Sequence, residues 1–97
     1  MRLDRYLFFV RLLKSRTLAQ GLIDAGNVRL EGKRVAKPAE DVHVGSVISF
    51  ALHGRVRVVR VLSLPIRRGP ASEAKACYEE IGELSDSANV SQQGGAD

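Results

Sequence analysis

The hydrophobic pattern of this chain changes period at Gly26, and that change constrains the fold more than any other feature. Before Gly26 the apolar residues recur at the spacing of two short helices, at Leu3, Leu7 and Val10 and then at Leu18, Ala19, Leu22 and Ile23. After it they alternate with polar residues, which is typical of strands. Helices followed by strands in a chain of 97 residues indicate an α+β fold with one compact core.

The two predicted helices have recognisable ends. Asp4 is placed to cap the first helix, because a carboxylate at that position accepts backbone N–H groups. The second helix begins at Ser15 or at Thr17, and Thr17 would form a capping box with Gln20. Gly26 ends the second helix, since glycine readily takes the left-handed conformation found after a helix. Both helices are therefore expected to be short.

Turn residues divide the alternating region into strands. Glu31-Gly32 suits the tight turn of a hairpin between residues 28–30 and 33–35. Gly45-Ser46 and His53-Gly54 supply two further turns, with alternating apolar residues between them and after them. The sequence therefore predicts a small, mostly antiparallel sheet on which the two helices pack.

The segment after the predicted sheet contains a basic loop and a third helix. The loop is Arg67-Arg68-Gly69, and Pro70 stands at a natural first position of a helix. Four apolar residues then recur at helical spacing, namely Ala74, Cys77, Tyr78 and Ile81. We therefore expect a first domain at residues 1–64, a loop and packed C-terminal helix at 65–84, and a disordered acidic tail at 85–97.

Basic and acidic residues are unevenly distributed along the chain. Up to Pro70 there are 14 Lys and Arg residues against 5 Asp and Glu, a local charge of +9. From Ala71 onward one Lys stands against six acidic residues, a local charge of −5. The overall charge of +4 is modest, but a basic body with an acidic tail indicates a polyanionic partner for the body.

Several classes of protein are excluded by what the sequence lacks. Cys77 is the single cysteine, so neither an internal disulfide nor a zinc-ligand motif is expected, and a reducing cytoplasm fits. No apolar run is long enough for a membrane span. No glycine-rich phosphate loop occurs, and His43 and His53 have no catalytic partner at motif spacing. We therefore expect no cofactor, no metal, no catalytic residue and no enzymatic activity.

Cationic residues gather around the two predicted helix starts. Arg2 and Arg5 flank the first start, and Lys14 and Arg16 flank the second. If the helices pack side by side, these groups share one surface with the free N–H groups of the second helix. Guanidinium and ammonium groups suit phosphate oxygens. Phe9 is the aromatic residue to test for stacking on a base, although aromatic residues at helical spacing are more often core.

Short motifs in the same order resemble the S4 RNA-binding domain, named after a small-subunit ribosomal protein. They are RLDRYL at residues 2–7, KSRTLA at 14–19, GNVRLEGKRV at 26–35 and KP at 37–38. Farther on, RRGPASEA at 67–74 and YEE at 78–80 are similar to the segment after this domain in a bacterial family of ribosome-associated heat-shock proteins. Together the motifs extend over nearly all of the chain before the tail.

The resemblance implies an αL-type RNA-binding motif, in which RNA lies across the two helices and the first hairpin. Eight residues match RNA-contacting positions of the family: Arg2, Arg5, Lys14, Ser15, Arg16, Gln20, Lys33 and Lys37. The implied function is binding to structured ribosomal RNA of the large subunit, in ribosome recycling or rescue under heat stress. Transfer RNA is a further candidate partner. A cytoplasmic monomer with no membrane partner and only weak affinity for DNA is expected.

Two features depart from the family pattern. Glu31 stands where an Asn usually precedes the hairpin glycine, which brings a carboxylate near the expected path of the phosphates. An acidic tail stands where some relatives carry a long basic extension.

Two other functions stay open at this point. A DNA-binding helix-turn-helix regulator also places basic residues at the start of its second helix, but it needs a dimer surface, and no exposed apolar stripe is evident. An RNA-modifying enzyme uses the same RNA-binding domain, but it needs a separate catalytic domain for which the chain has no room.

Overall fold

Eight helices and strands follow one another in the computed structural model, which describes residues 1–85. They are α1 (Leu3–Phe9), α2 (Arg16–Asp24), β1 (Val28–Leu30), β2 (Lys33–Arg34), β3 (Val47–Leu52), β4 (Arg55–Val61), α3 (Ala71–Lys75) and β5 (Tyr78–Ser85). Ser85, the first residue of the predicted tail, ends β5, and the rest of that tail lies outside the described residues. The predicted α+β class is confirmed.

The strands form one sheet in the order β2-β1-β3-β4-β5, and every neighbouring pair is antiparallel. The first hairpin therefore lies at one edge of the sheet and β5 at the other. A register shift between Val58 and Val59 marks a bulge in β4. Such a bulge bends the strand and increases its twist.

Left-handed backbone conformations form the two hairpin turns. Glu31 and Gly32 have φ angles of 54° and 79°, and His53 and Gly54 have φ angles of 53° and 76°. Positive φ at both central residues is the geometry of a type I′ turn, whose twist matches that of the paired strands. The predicted hairpin at Glu31-Gly32 is confirmed, and so is the chain reversal at His53-Gly54.

The side chain of Glu31 links the first hairpin to the start of β3. Its carboxylate Oε1 accepts the backbone N–H of Val47 at 2.9 Å. In return the backbone N–H of Glu31 donates to the carbonyl of Val47 at 2.8 Å. The carboxylate that departs from the family pattern therefore stabilises the sheet.

The core lies between the helices and the sheet. Its fully buried side chains come from both layers: Leu3, Tyr6 and Leu7 from α1, and Ile48, Phe50, Val59 and Val61 from β3 and β4. Burial of a side chain of this size stabilises the fold by about 1.5–3 kcal/mol. The hydroxyl of Tyr6 also donates to the carbonyl of Cys77 at 2.8 Å, which ties the segment between α3 and β5 to α1.

The third helix is much shorter than the sequence predicts. It ends at Lys75, and the chain then pairs with β4 from Tyr78 onward. The helix predicted from the spacing of the apolar residues was therefore too long. Ile81, expected to pack on the core, is 44% exposed. Pairing along β4 is the physical reason, because it satisfies backbone groups of both strands, and Gly82 disfavours a helix.

Candidate nucleic-acid interface

The carboxylate of Asp4 is completely buried where α1 and α2 meet. It accepts two hydrogen bonds from Arg2, one from Nε and one from Nη2, each at 3.0 Å. It also accepts the amide Nε2 of Gln20 at 2.9 Å and the backbone N–H of Arg5 at 2.8 Å. The guanidinium of Arg16 is 3.5 Å away and completes the cluster. One carboxylate therefore positions two arginines and a glutamine from different parts of the chain.

Asp4 does not cap α1, which corrects the sequence prediction. Arg2 occupies the cap position, and Asp4 is the second residue of the helix. The N–H groups of Leu3 and Asp4 instead donate to the carbonyls of Glu40 and Pro38, at 2.8 and 3.2 Å. Because the segment after the hairpin satisfies these two N–H groups, the carboxylate of Asp4 accepts only the backbone N–H of Arg5 from the first turn and otherwise holds side chains.

The pKa of Asp4 lies below its usual value of 3.8. Burial is the largest single influence and raises the pKa, because it disfavours the charged form. Hydrogen bonds from Arg2, Gln20 and the backbone of Arg5, together with the positive charge of Arg2, outweigh burial. The carboxylate is therefore ionised at neutral pH, as a partner of two guanidinium groups must be.

Ser15 begins α2. Its Oγ accepts the backbone N–H of Leu18 at 3.0 Å, so of the two predicted starts Ser15 is the right one. The capping box of Thr17 with Gln20 is wrong, because Gln20 donates to Asp4. Gly26 follows the helix with a φ of +82°, as predicted for its end.

The structure places five of the eight predicted RNA contacts at Asp4 or at the helix start beside it, and two more, Lys14 and Ser15, directly precede Arg16 in the chain. Arg2, Arg16 and Gln20 share the carboxylate of Asp4, and Arg5 follows it in α1. The carbonyl of Pro38 bonds to the backbone of Asp4, which places the neighbouring Lys37 at the same helix start. We call this surface the Asp4 face, and it consists of Arg2, Arg5, Lys14, Ser15, Arg16, Gln20 and Lys37.

Besides Arg2, which pairs with Asp4, three cations of the Asp4 face are exposed: Arg5, Lys14 and Lys37. None of them forms an ion pair with a carboxylate of residues 1–85. Lys33 lies in β2 and is exposed, and no hydrogen bond or ion pair within that part of the chain joins it to Asp4. The face therefore carries positive charge that the described residues leave unneutralised.

Sequence reasoning missed two arginines at the other end of α1. The Nε of Arg68 donates to the carbonyl of Phe8 at 3.0 Å, and its guanidinium carbon is 4.5 Å from the centre of the Phe8 ring. The Nε of Arg11 donates to the carbonyl of Gly69 at 2.7 Å. Both contacts join residues about sixty positions apart, so no local pattern revealed them.

Residues 1–85 contain no helix that is long and apolar enough to cross a membrane. Within the same range there is no group of three or more His, Cys, Asp or Glu side chains that could hold a metal ion.

Comparison with known proteins gives the class first. A family model described as the S4 domain matches residues 1–48. This range contains α1, α2, the first hairpin and the whole Asp4 face. The class of the protein is therefore that of S4-domain proteins, as the sequence motifs indicated.

Relatives that match most of the chain identify a smaller group within the S4-domain proteins. Heat shock protein 15 of Escherichia coli K12 is 36% identical over 83 residues, which are 86% of this chain and 62% of that protein. The RQC P-site tRNA stabilizing factor of Streptococcus pneumoniae R6 is 31% identical over 90 residues, which are 93% of this chain and 100% of that protein. The chain thus spans less than two thirds of the Escherichia coli relative and all of the Streptococcus pneumoniae relative.

A solved structure agrees with these relatives. The trimeric structure of heat shock protein 15 from Vibrio cholerae superimposes with a TM-score of 0.75 at 32% identity, covering 82% of this chain and 80% of that chain. The chain belongs to the S4-domain family that includes heat shock protein 15 and the RQC P-site tRNA stabilizing factors.

Proposed function

We propose that this protein binds structured ribosomal RNA of the large subunit through the Asp4 face and through Lys33 on the first hairpin. One observation carries the proposal: a single buried carboxylate holds Arg2, Arg16 and Gln20 in place across two helices. Side chains that are held in advance lose less entropy when they bind a ligand. Guanidinium groups set in this way suit the phosphates of a folded RNA.

The charge of the Asp4 face supports a polyanionic partner. The face has five cations against the one carboxylate of Asp4, which pairs with two of them, so it is not neutral. Asp41, in the segment that contacts α1, pairs with the amino group of Met1 at 3.6 Å. Glu40 is exposed in the same segment, and the net charge of the face stays positive even when its carboxylate is counted. Phosphate groups neutralise such a surface and release counterions.

Among the described side chains, those of residues 1–82, the Nε of Arg16 is the one buried nitrogen or oxygen without a hydrogen-bond partner. In most proteins buried polar groups have hydrogen-bond partners. A buried donor without a partner, in a side chain of the proposed binding face, therefore supports a ligand at that place. The side chain of Arg16 as a whole is 39% exposed, so a ligand can reach it. A phosphate oxygen at this guanidinium would supply the partner that the protein itself does not.

The relatives suggest where in the cell this RNA binding is used. The name of the Streptococcus pneumoniae relative specifies transfer RNA in the ribosomal P site, and another relative is named a heat shock protein. We therefore propose a cytoplasmic role in ribosome recycling or rescue, including heat stress, with transfer RNA beside the bound ribosomal RNA. The protein would act by binding, without catalysis. Altered nucleosides in ribosomal RNA after incubation with the purified protein would contradict that last point.

The monomer predicted from the sequence remains a proposal, and the trimeric structure of the Vibrio cholerae relative offers the contrasting expectation. Sedimentation of the purified chain, with and without ribosomal RNA, distinguishes a monomer from a trimer.

Crosslinking in cells followed by sequencing of the bound RNA tests the proposed function. The informative variant is Arg5→Gln with Lys14→Gln, because both side chains are exposed and form no ion pair within residues 1–85. Lys75→Gln at the end of α3 is the matched control, since it removes an exposed charge away from the Asp4 face. We expect the double variant to recover far fewer large-subunit RNA fragments than the control.

Equal recovery of the same fragments by both proteins would overturn the assignment of the Asp4 face. In a competition assay with purified protein, preference for duplex DNA over folded RNA would favour the helix-turn-helix alternative.

A further inference from the structure

An apolar groove of about 380 Å³ lies beside the C-terminal end of α1. Its lining includes Phe9, Leu64, Pro65, Ile66, Gly69 and Ala74, and we call it the Phe9 groove. Ile66 is 92% exposed at the rim, and Leu64 is 38% exposed. A cluster of exposed apolar side chains around a cavity of this size is a feature of binding sites.

Two guanidinium groups stand beside the Phe9 groove. Arg11 and Arg68 each use only Nε to bind a backbone carbonyl, that of Gly69 and that of Phe8 respectively. A guanidinium has five N–H donors, and the other four of each side chain have no hydrogen-bond partner within residues 1–85. Each charge is therefore held in position by one bond and can offer a planar pair of donors to a ligand.

The backbone of Arg11 supports a role for its side chain. Its φ angle is +61°, in the left-handed region that favours glycine. This conformation costs a residue with a side chain about 1–2 kcal/mol. The position follows the end of α1, where glycine is the common choice. A charged residue stands at a strained position here, as occurs at functional sites.

Charge decides what kind of ligand the Phe9 groove fits. Arg67 and Glu73 also line the groove and pair with each other at 3.1 Å, whereas Arg11 and Arg68 have no carboxylate partner among the side chains of residues 1–82. An apolar peptide would fill the groove but leave both guanidinium groups unused. A nucleotide offers a flat base for the apolar floor and phosphates for the two arginines, which is how unstacked bases bind aromatic and guanidinium groups.

We propose that the Phe9 groove receives an unstacked base of the bound RNA, with Arg11 and Arg68 on the phosphates beside it. This proposal rests on the RNA binding proposed above. The base stacks on Phe9, whose ring centre is 6.1 Å from that of Phe8, the ring under Arg68. One RNA contacts both sites, because α1 spans only about 10 Å between them at 1.5 Å per residue.

The link between the helices makes the two sites continuous. Arg11 lies at the groove, Lys14 is exposed in the middle of the link, and Arg16 belongs to the Asp4 face. Three cations therefore mark a path from the Asp4 face to the groove. A single strand that leaves a structured region is the RNA element that fits this arrangement.

Arg11→Gly is the sharpest variant for this proposal. It removes the guanidinium, and glycine relieves the left-handed backbone, which offsets the lost hydrogen bond to Gly69. Phe9→Leu removes the aromatic ring but keeps an apolar side chain. Arg60→Gln in β4 is the matched charge control, since Arg60 already pairs with Glu79 at 2.9 Å. Thermal unfolding of each full-length variant verifies that it folds.

The probe is a single-stranded oligouridine that carries 5-iodouridine. We expect the wild-type crosslink to map to Phe9. For Arg11→Gly we expect about tenfold weaker binding, typical for the loss of one charge-assisted contact, and a salt slope smaller in magnitude by about 0.7. For Phe9→Leu we expect at least about fivefold weaker binding, from the lost stacking. Arg60→Gln should bind like wild type.

The two proposals fail in distinguishable ways. If Arg11→Gly and Phe9→Leu bind the oligouridine like wild type while Arg5→Gln with Lys14→Gln loses ribosomal RNA, the groove proposal is wrong and the Asp4 face stands. If none of these variants loses RNA, both proposals are wrong. If instead Phe9→Leu changes only the sedimentation of the protein, the groove joins copies of the chain and the base-binding proposal is overturned.

Discussion

Asp4 and Gln20 are 16 positions apart in the chain, and the amide of Gln20 donates to the carboxylate of Asp4 at 2.9 Å. This bond crosses from α1 to α2 and connects the two helices at a completely buried point. The same carboxylate holds Arg2 at 3.0 Å. Asp4 therefore both links the two helices and positions a side chain that is proposed to contact RNA.

Asp4→Asn should lower both stability and RNA affinity. The amide keeps the shape of the carboxylate but leaves Arg2 and Arg16 without their counter-charge. Breaking a fully buried pair costs about 3–5 kcal/mol, and the partial exposure of both arginines reduces this to about 2 kcal/mol. Urea unfolding measures the change, with Asp24→Asn on the exposed side of α2 as the control. Equal stability of the two variants would contradict the role of Asp4.

The lowered pKa of Asp4 predicts a stability that depends on acid. A carboxyl with a lower pKa in the folded state stabilises the fold above its unfolded value and loses this contribution as the pH falls through the folded value. Wild type should therefore lose more stability than Asp4→Asn as the pH falls below about 4. Urea unfolding at a series of pH values measures the difference. Parallel curves for the two proteins would show that Asp4 does not contribute.

Two glycines of the same region should respond to alanine in opposite directions. Gly26 has a φ of +82°, and a Cβ there would meet the guanidinium of Arg34, so Gly26→Ala should destabilise by at least about 1 kcal/mol. Gly21 lies within α2 with nothing close to a Cβ, so Gly21→Ala should stabilise by about 0.5–1 kcal/mol. Thermal unfolding compares them, and a shift in the same direction for both would contradict the described helix end.

Tyr6→Phe should cost only about 1 kcal/mol, despite complete burial of the ring. The hydroxyl donates to the carbonyl of Cys77, but that carbonyl also accepts the N–H groups of Leu62 and Ser63. No acceptor is therefore left unsatisfied. Burial raises the pKa of Tyr6 above its usual value of 10.0, so in an alkaline absorbance titration Tyr6→Phe should remove an ionisation step above the usual range of tyrosine. Removal of a step within the usual range would contradict the burial of this hydroxyl.

Features set by neighbouring residues could be predicted from the sequence. Ser15 as a cap, Gly26 as a helix end and Glu31-Gly32 as a turn each depend on a few adjacent positions. The cap at Asp4 was wrong because the carbonyls that replace it come from Pro38 and Glu40. Distant partners of this kind leave no local signal.

Contacts between distant residues also explain why the extent of the third helix and the arrangement of the site could not be predicted from the sequence. β5 forms because β4 offers a partner, a relationship between Val61 and Tyr78 that helical spacing does not contain. The motifs named the cations of the Asp4 face, but only the structure shows that one carboxylate holds Arg2 and Arg16. The stacking of Arg68 on Phe8 was equally out of reach, since it joins the two ends of the described chain.

Salt dependence of binding tests the central claim most directly. Affinity of the purified protein for ribosomal RNA, measured over a range of salt concentrations, should fall with a log–log slope of about −3.5 to −4.5 if about five phosphates are contacted. Arg5→Gln with Lys14→Gln should reduce the magnitude of that slope by about 1.4 to 1.8. A slope near zero, or an unchanged slope in the double variant, would contradict binding of phosphates by the Asp4 face.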